Sequence, residues 1–324
     1  MTLTAPPTPT ALAAPAATPA PPRQRRRRAS GDGSAPRTLI SAVDLNRHRV
    51  LYVVVLGLTM AVFAFAFLFP LYWMATSAVK SPVEYAQTTP TFIPESFHPE
   101  NYSTAWTNMR IGKFFLNTVY YALGGWLIQL VVAVLVAYAL SKLKPIFGKV
   151  ILGLMLASLM LPAAALLVPA YLTVVEVPIF GWNLLNTPWA LWLPAAANAF
   201  NVYVLKRFFD QIPNDLLDAA SIDGAGRLRV LWSIVLPLSR PVLGVVSIFI
   251  IIALWKDFLW PLLVLPDTEK QTLSVALSRL ANTSQVPQTE FVAGLVIASV
   301  PMIVVFLIFQ RSIIGGLSAG SMKG

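Results

Sequence analysis

Cysteine is absent from the 324 residues, and histidine occurs only as His48 and His98. Without a thiol there is no disulfide, no thiolate nucleophile and no iron–sulfur ligation. The two histidines are separated by a long apolar run, so they cannot share a metal. Charge is scarce too: 12% of residues are Asp, Glu, Lys or Arg, against about a quarter in an ordinary soluble domain. No cluster of histidine, cysteine or paired carboxylates lies beside an apolar run, which removes the usual means of acid–base or nucleophilic catalysis. The chain is expected not to be an enzyme and to bind no metal or other cofactor of its own.

Hydrophobic residues, by contrast, make up 56% of the chain, with a mean hydropathy of +0.68. The stretches 50–79, 114–140, 150–175 and 177–205 each lack any Asp, Glu, Lys or Arg. A helix needs roughly 20 apolar residues to cross a hydrocarbon core of about 30 Å. Two later stretches qualify as well, 241–266, interrupted by one charged pair, and 291–310. The expectation is an all-α, polytopic membrane protein with six spans. No secretory signal is expected, given the length of the first apolar run and the nearly fifty Ala/Pro-rich residues before it.

The formal net charge is +10, but the placement of the basic residues matters more than their number. Eight arginines lie within residues 23–49, and Lys142, Lys144 and Lys149 fall between spans two and three. Lys206, Arg207, Arg227, Arg229 and Arg240 fall between spans four and five, and Arg311 and Lys323 follow span six. The alternate loops hold only Lys80, Arg110, Lys113, Lys270 and Arg279. Eighteen against five is a strong positive-inside bias, so both termini are expected on the cytoplasmic side of the membrane. The basic excess orients the chain among membrane lipids and does not point to nucleic acid.

Residues 1–49, with "RQRRRR" at 23–28, cannot bury enough apolar surface to order themselves and read as a basic cytoplasmic tail. Residues 50–311 form the membrane domain and 312–324 a cytoplasmic tail. The outer loop of roughly 76–112 is broken by prolines and packs as a small cap. Trp182, Trp189 and Trp192, at the outer end of span four, read as headgroup anchors.

The segment "DAASIDGAGRLRVLWSIVLPLSRP", residues 218–241, places acids, arginines and glycines between apolar runs. Pro213 suits a first helical turn, and Asp215 suits the positive end of a helix. Ile212, Leu216, Leu217 and Ala220 share one side of a short helix. Gly224 and Gly226 bracket a break, and Leu228, Leu231, Trp232 and Val235 follow at the spacing of a second amphipathic helix. Two short helices around a glycine turn also describe a DNA-binding helix-turn-helix, but this pair is pinned at both ends by spans. A plainer reading lays both helices on the bilayer surface.

Asp218-Ala219-Ala220, then Asp223-Gly224-Ala225 and the closing "LPLSRP", resemble the "EAA" loop of permease subunits in bacterial ABC importers. That resemblance implies a coupling helix seated in a cleft of a cytoplasmic ATPase, whose ATP-driven closure moves the spans. The family's usual Glu is Asp218 here, one methylene shorter. "LWKDFLWPLLVL" at 254–265 resembles the fifth span of carbohydrate-uptake permeases, and "QRSIIGGLSAGSMKG" resembles the tail of the maltose-type permease. The resemblance runs from about residue 50 to the end. It implies that Gly316, Leu317, Ser318 and Gly320 reach the ATPase. It also implies that Asn282, Thr283, Ser284 and Gln285 meet an extracellular sugar-binding protein. The other partners implied are a second homologous permease subunit and an ATPase dimer that uses ATP and Mg. The spacing of Gly315 to Gly320 imitates a phosphate loop, yet Ser-Met-Lys follows where Gly-Lys-Ser/Thr is needed, so the chain cannot itself hydrolyse ATP.

Lys256 and Asp257 are the only charges inside a span. Lys256 lies 15 residues past Pro241, about 23 Å along the helix. An intramembrane charge costs about 2.5–3.5 kcal/mol on insertion scales. Either the pair lines a translocation path, with Trp255 and Trp260 offering faces to sugar rings, or it makes a structural contact while Lys256 snorkels outward. An ion-coupled secondary transporter using Lys256 and Asp257 is the competing function, but the inverted repeats of such proteins are not found.

Overall fold

The computed structural model describes residues 49–281 and 286–321, of which 310–321 as backbone alone. The described residues are helical, with no strand among them. The chain divides into two units, residues 1–64 and 65–324. In the first, the described residues are 49–64, the opening part of helix α1 (Arg49–Ser77), and the packing described below is that of the second.

The longest apolar runs become the longest helices. After α1 come two short helices, α2 (Pro82–Tyr85) and α3 (Glu100–Asn108), and then α4 (Ile111–Tyr138), which ends in a π turn over Ala139–Leu143. The 150–175 run is not one straight helix. It splits into α5 (Gly148–Ser158) and α6 (Ala163–Val175), bent by 111°, because Pro162 cannot donate the next helical hydrogen bond. The 177–205 run starts as loop and then divides into α7 (Trp189–Ala196) and α8 (Ala199–Asp210). Asn198 takes an extended backbone between them, and its side chain caps the N–H of Asn201 at 3.1 Å.

α9 (Asn214–Ile222) and α10 (Arg227–Val230) follow, the latter continuing as a π turn through Val235. α11 (Arg240–Lys256), α12 (Leu259–Val264), α13 (Leu273–Ala281) and α14 (Gln288–Ser321) complete the chain. Three helices, α1, α4 and the Gln288–Phe309 part of α14, are long and apolar enough to cross a membrane alone, and five crossings result if each bent pair counts as one. Phe65, Phe67, Leu116 and Leu127 are exposed on α1 and α4, as lipid-facing positions require.

Three packed clusters involve α4, the one at its very start joining Ile111 to Met109, Leu273, Leu277 and Ala293. Near its end, Ala133, Val134 and Ala137 meet Val202, Leu205 and Phe209 of α8 and Val246 and Ile250 of α11. Nearer its start, Tyr121 meets Leu191 and Trp192 of α7. Trp192 is a core residue and not a headgroup anchor: only 9% exposed, it donates its Nε1–H to the carbonyl of Tyr121 at 3.0 Å. A Cβ on Gly124 would stand 2.3 Å from this indole, so only glycine permits the approach.

The segment between α1 and α4 is tied together by its own hydrogen bonds. Ser81 caps α2, and Glu84, buried beneath it, accepts the Thr91 hydroxyl at 2.6 Å and the amide of Glu95 at 3.0 Å. Burial alone would raise this carboxyl, but those bonds, the Ser96 amide and the charge of Lys80 together hold it below its ordinary value. Asn101 donates to the carbonyls of Ala78 and Lys80 and ties α3 to the end of α1.

Candidate functional site

The 211–240 segment has the form its sequence suggests: a helix, a turn, a second helix. Pro213 enters extended at ψ 135°, Asn214–Ile222 is helical, and Gly224 turns the chain at φ +77°, a left-handed conformation that costs a side chain dearly. Gly226 stands at an ordinary φ of −66°. Ile212 and Ala220 are buried and Leu217 half-buried, whereas Leu216 is exposed. The second helix departs from a simple amphipathic stripe. Val230 and Val235 are buried while Leu228 and Trp232 are 66% and 70% exposed, because the π turn puts residues five apart on one face.

What holds this segment is the end of α4, which the sequence reading passed over. The Tyr138 hydroxyl donates to the carbonyl of Arg227 at 2.9 Å, and the Lys142 ammonium to that of Ile212 at 2.7 Å. Both shoulders of the loop thus hang from one helix end. The Ser141 hydroxyl donates to Asp210 Oδ1 at 2.7 Å, and Lys206 pairs with Oδ2 of the same carboxylate at 2.8 Å. Asp210 lies beyond the apolar run that ends at Leu205. Burial pushes its carboxyl upward, but the bonds from Lys206 and Ser141 outweigh burial and hold it below the ordinary aspartate value. A polar hollow of about 330 Å³ opens between the clamp and the loop, lined by Lys142, Lys144, Asn214, Asp218 and Arg227.

Asp218, Ala219, Asp223 and Gly224 are exposed, and Ala220 is buried against the core. Neither Asp218 nor Asp223 enters an ion pair among the described residues. Beside them Ile222 is 87% exposed. The loop therefore offers acids and apolar surface with no partner inside the chain. Gly316, Leu317, Ser318 and Gly320 lie on the continuous helical backbone of α14, which runs unbroken past residue 311 to Ser321. Asn282, Thr283, Ser284 and Gln285 lie outside the described residues.

The charged pair in the fifth apolar run is pulled apart. α11 ends at Lys256, and Asp257 takes an extended backbone at φ −65°, ψ 128°. Asp257 and Trp260 line one cavity of about 240 Å³ with Tyr121, Leu191 and Pro194, and the Trp260 indole N–H is fixed on the carbonyl of Ala190 at 2.9 Å. Trp255 and Lys256 line a different cavity, of about 490 Å³, with Thr118, Phe258, Ser274 and Phe291. Trp255 packs edge-on against Phe115 at 5.6 Å. Thr118 was not distinguishable in the sequence. It stands between the two cavities, and its hydroxyl accepts the amide of Leu273, 155 residues away, at 2.8 Å. Among the described residues there is no cluster of His, Asp or Glu able to hold a metal.

Residues 129–317 match the model of the family described as "binding-protein-dependent transport system inner membrane component". The diacetylchitobiose uptake system permease of Streptomyces coelicolor is 34% identical over 78% of this chain and 83% of its own length. The sulfoquinovosyl glycerol transport system permease of Agrobacterium fabrum is 32% identical over 79% of this chain and 89% of its own. Among solved structures, a chain of a bacterial ABC transporter that imports the acidic polysaccharide alginate superposes with a TM-score of 0.72. It covers 82% of this chain and 97% of its own at 24% identity, a likeness of fold. An all-helical chain with lipid-facing apolar helices, no catalytic constellation and an unpartnered loop of acids and glycines is thus a member of the binding-protein-dependent transport system inner membrane components, the permease subunits of ABC importers.

Proposed function

We propose that this chain is one of two homologous permease subunits of an ATP-driven importer, and that it translocates a saccharide or related polyol delivered by an extracellular or periplasmic binding protein. The single helices α1, α4 and α14, the bent pair α5 and α6, the broken pair α7 and α8, and α11 make six passages of the membrane, both termini being cytoplasmic. The loop at 211–240 then faces the cytosol and docks on a separate ATPase dimer that uses ATP and Mg. The tail containing Gly316, Leu317, Ser318 and Gly320 reaches the same partner. Asn282, Thr283, Ser284 and Gln285 meet the binding protein. The cavities beside α4 open alternately to the two sides as the ATPase closes and releases.

The observation that carries this reading is the loop itself, exposed at Asp218, Ile222, Asp223 and Trp232 and hung at both shoulders from the end of α4. A surface that only lay on lipid would not present two unpaired carboxylates. The ion-coupled alternative needs Lys256 and Asp257 to act together, and they face different cavities. The test is reconstitution. Proteoliposomes holding the permease pair should accumulate saccharide only when the ATPase, ATP and the binding protein are supplied. Accumulation driven by an ion gradient with no ATPase present would refute the assignment.

A further inference from the structure

The larger cavity contains one cation and no anion. Of its polar side chains, three hydroxyls already donate to the protein's own carbonyls: Thr118 to Phe114, Ser274 to Asp257 and Ser299 to Val296. Lys256 lines the same wall and makes no ion pair or hydrogen bond among the described residues. Its sequence neighbour Asp257, which in an unbroken helix would travel with it, is turned by the break into the other cavity. There it lines the wall with Tyr121, Leu191 and Trp260. Apart from Ser278, which also has a partner, the remaining walls are apolar and aromatic, from Trp255, Phe258, Phe291 and Met302 among others.

A lone ammonium on an aromatic wall is an incomplete site. The flat apolar face of a sugar ring packs on aromatic side chains, and an ammonium with no protein counter-ion is completed by an acidic substituent. At about 490 Å³ the cavity lies within the range of small-molecule sites. We propose that Lys256 makes this permease selective for saccharides or polyol derivatives bearing an acidic group, a carboxylate, sulfonate or phosphate, and that it contacts that group during passage. The proposal rests on the importer reading above and narrows its substrate class.

The test uses the complete transporter, with its partner subunits and binding protein, in phosphatidylcholine vesicles free of anionic lipid. The vesicles receive an equal mixture of raffinose, diacetylchitobiose, digalacturonate and sn-glycerol 3-phosphate, and solute accumulated with ATP is identified by mass spectrometry. Anionic solute should dominate in the wild type. Lys256→Gln should lower the ratio of anionic to neutral uptake tenfold or more, about 1.4 kcal/mol, while Lys256→Arg keeps it. Stimulation of ATP hydrolysis by the binding protein shows that each variant is assembled. If an assembled wild type accumulates only the neutral sugars, or an assembled Lys256→Gln leaves the ratio unchanged, the proposal fails and the importer reading stands. If no solute accumulates with ATP, both fail.

Discussion

Two places in the chain depend on glycine for opposite reasons. In α4, Gly124 and Gly125 lie where other atoms press in: a Cβ would fall 2.3 Å from Trp192 and 2.9 Å from Leu254 respectively. In the exposed loop, Gly224 and Gly226 have nothing within 4 Å of where a Cβ would stand. The first pair is about space and the second about backbone, and Gly224 alone of the second has the left-handed φ. Where the protein must be one rigid body, glycine lets helices touch. In the exposed loop, glycine lets the chain turn while leaving the surface beside it empty.

The largest expected effect comes from filling the packed pair. Gly124→Ala drives a methyl into an indole whose N–H is anchored on Tyr121, and overpacking of this kind costs about 3 kcal/mol. Thermal unfolding of the detergent-solubilised protein, followed by tryptophan fluorescence, should fall by several degrees; an unchanged midpoint would break the comparison at its tighter end.

Gly224→Val should act differently, since strain at φ +77° is local and roughly 1–2 kcal/mol or more for a branched side chain. Unfolding temperature should change little. ATP-driven uptake in the reconstituted transporter should drop at least fivefold, with hydrolysis persisting.

Acid sharpens the contrast from the anchoring side. The carboxyl of Asp210 is held below its ordinary value, so it stabilises the folded state above the unfolded-chain value and loses that contribution as pH falls through its folded one. Stability should therefore decline on the acid side in the wild type and less steeply in Asp210→Asn, as a pH series of melting curves would register. The smallest effect belongs to Gly226→Ala, with open space and an ordinary φ. Stability and uptake should match the wild type, and a marked loss would mean that the partner fills that space.

Much of this architecture is legible in the sequence because membranes impose simple rules. Uncharged runs became helices except for the loop that opens 177–205, and the glycine between Asp223 and Ala225 had to be a turn. What escaped has a common cause. The bend at Pro162 and the break at Asn198 depend on which neighbouring helices receive the freed backbone, and no local pattern records that. The indole of Trp192 looks like an interfacial aromatic until Gly124 is placed beside it. Lys256 and Asp257 looked like a pair because they are adjacent, and one extended residue sends them to separate cavities. The clamp of Tyr138, Ser141 and Lys142 joins residues about 70 to 90 positions apart, beyond the reach of periodicity.

That clamp also fixes how force must travel. α4 holds the loop through Tyr138 at one end, and Thr118, twenty residues back on the same helix, borders both cavities about 30 Å away. No hinge interrupts the helix between them. A tug on the carbonyl of Arg227 that leaves the tyrosine bond intact must tilt or slide the whole rod, so the cavity walls feel the pull as a crankshaft's far journal feels the stroke, with no gearing in between.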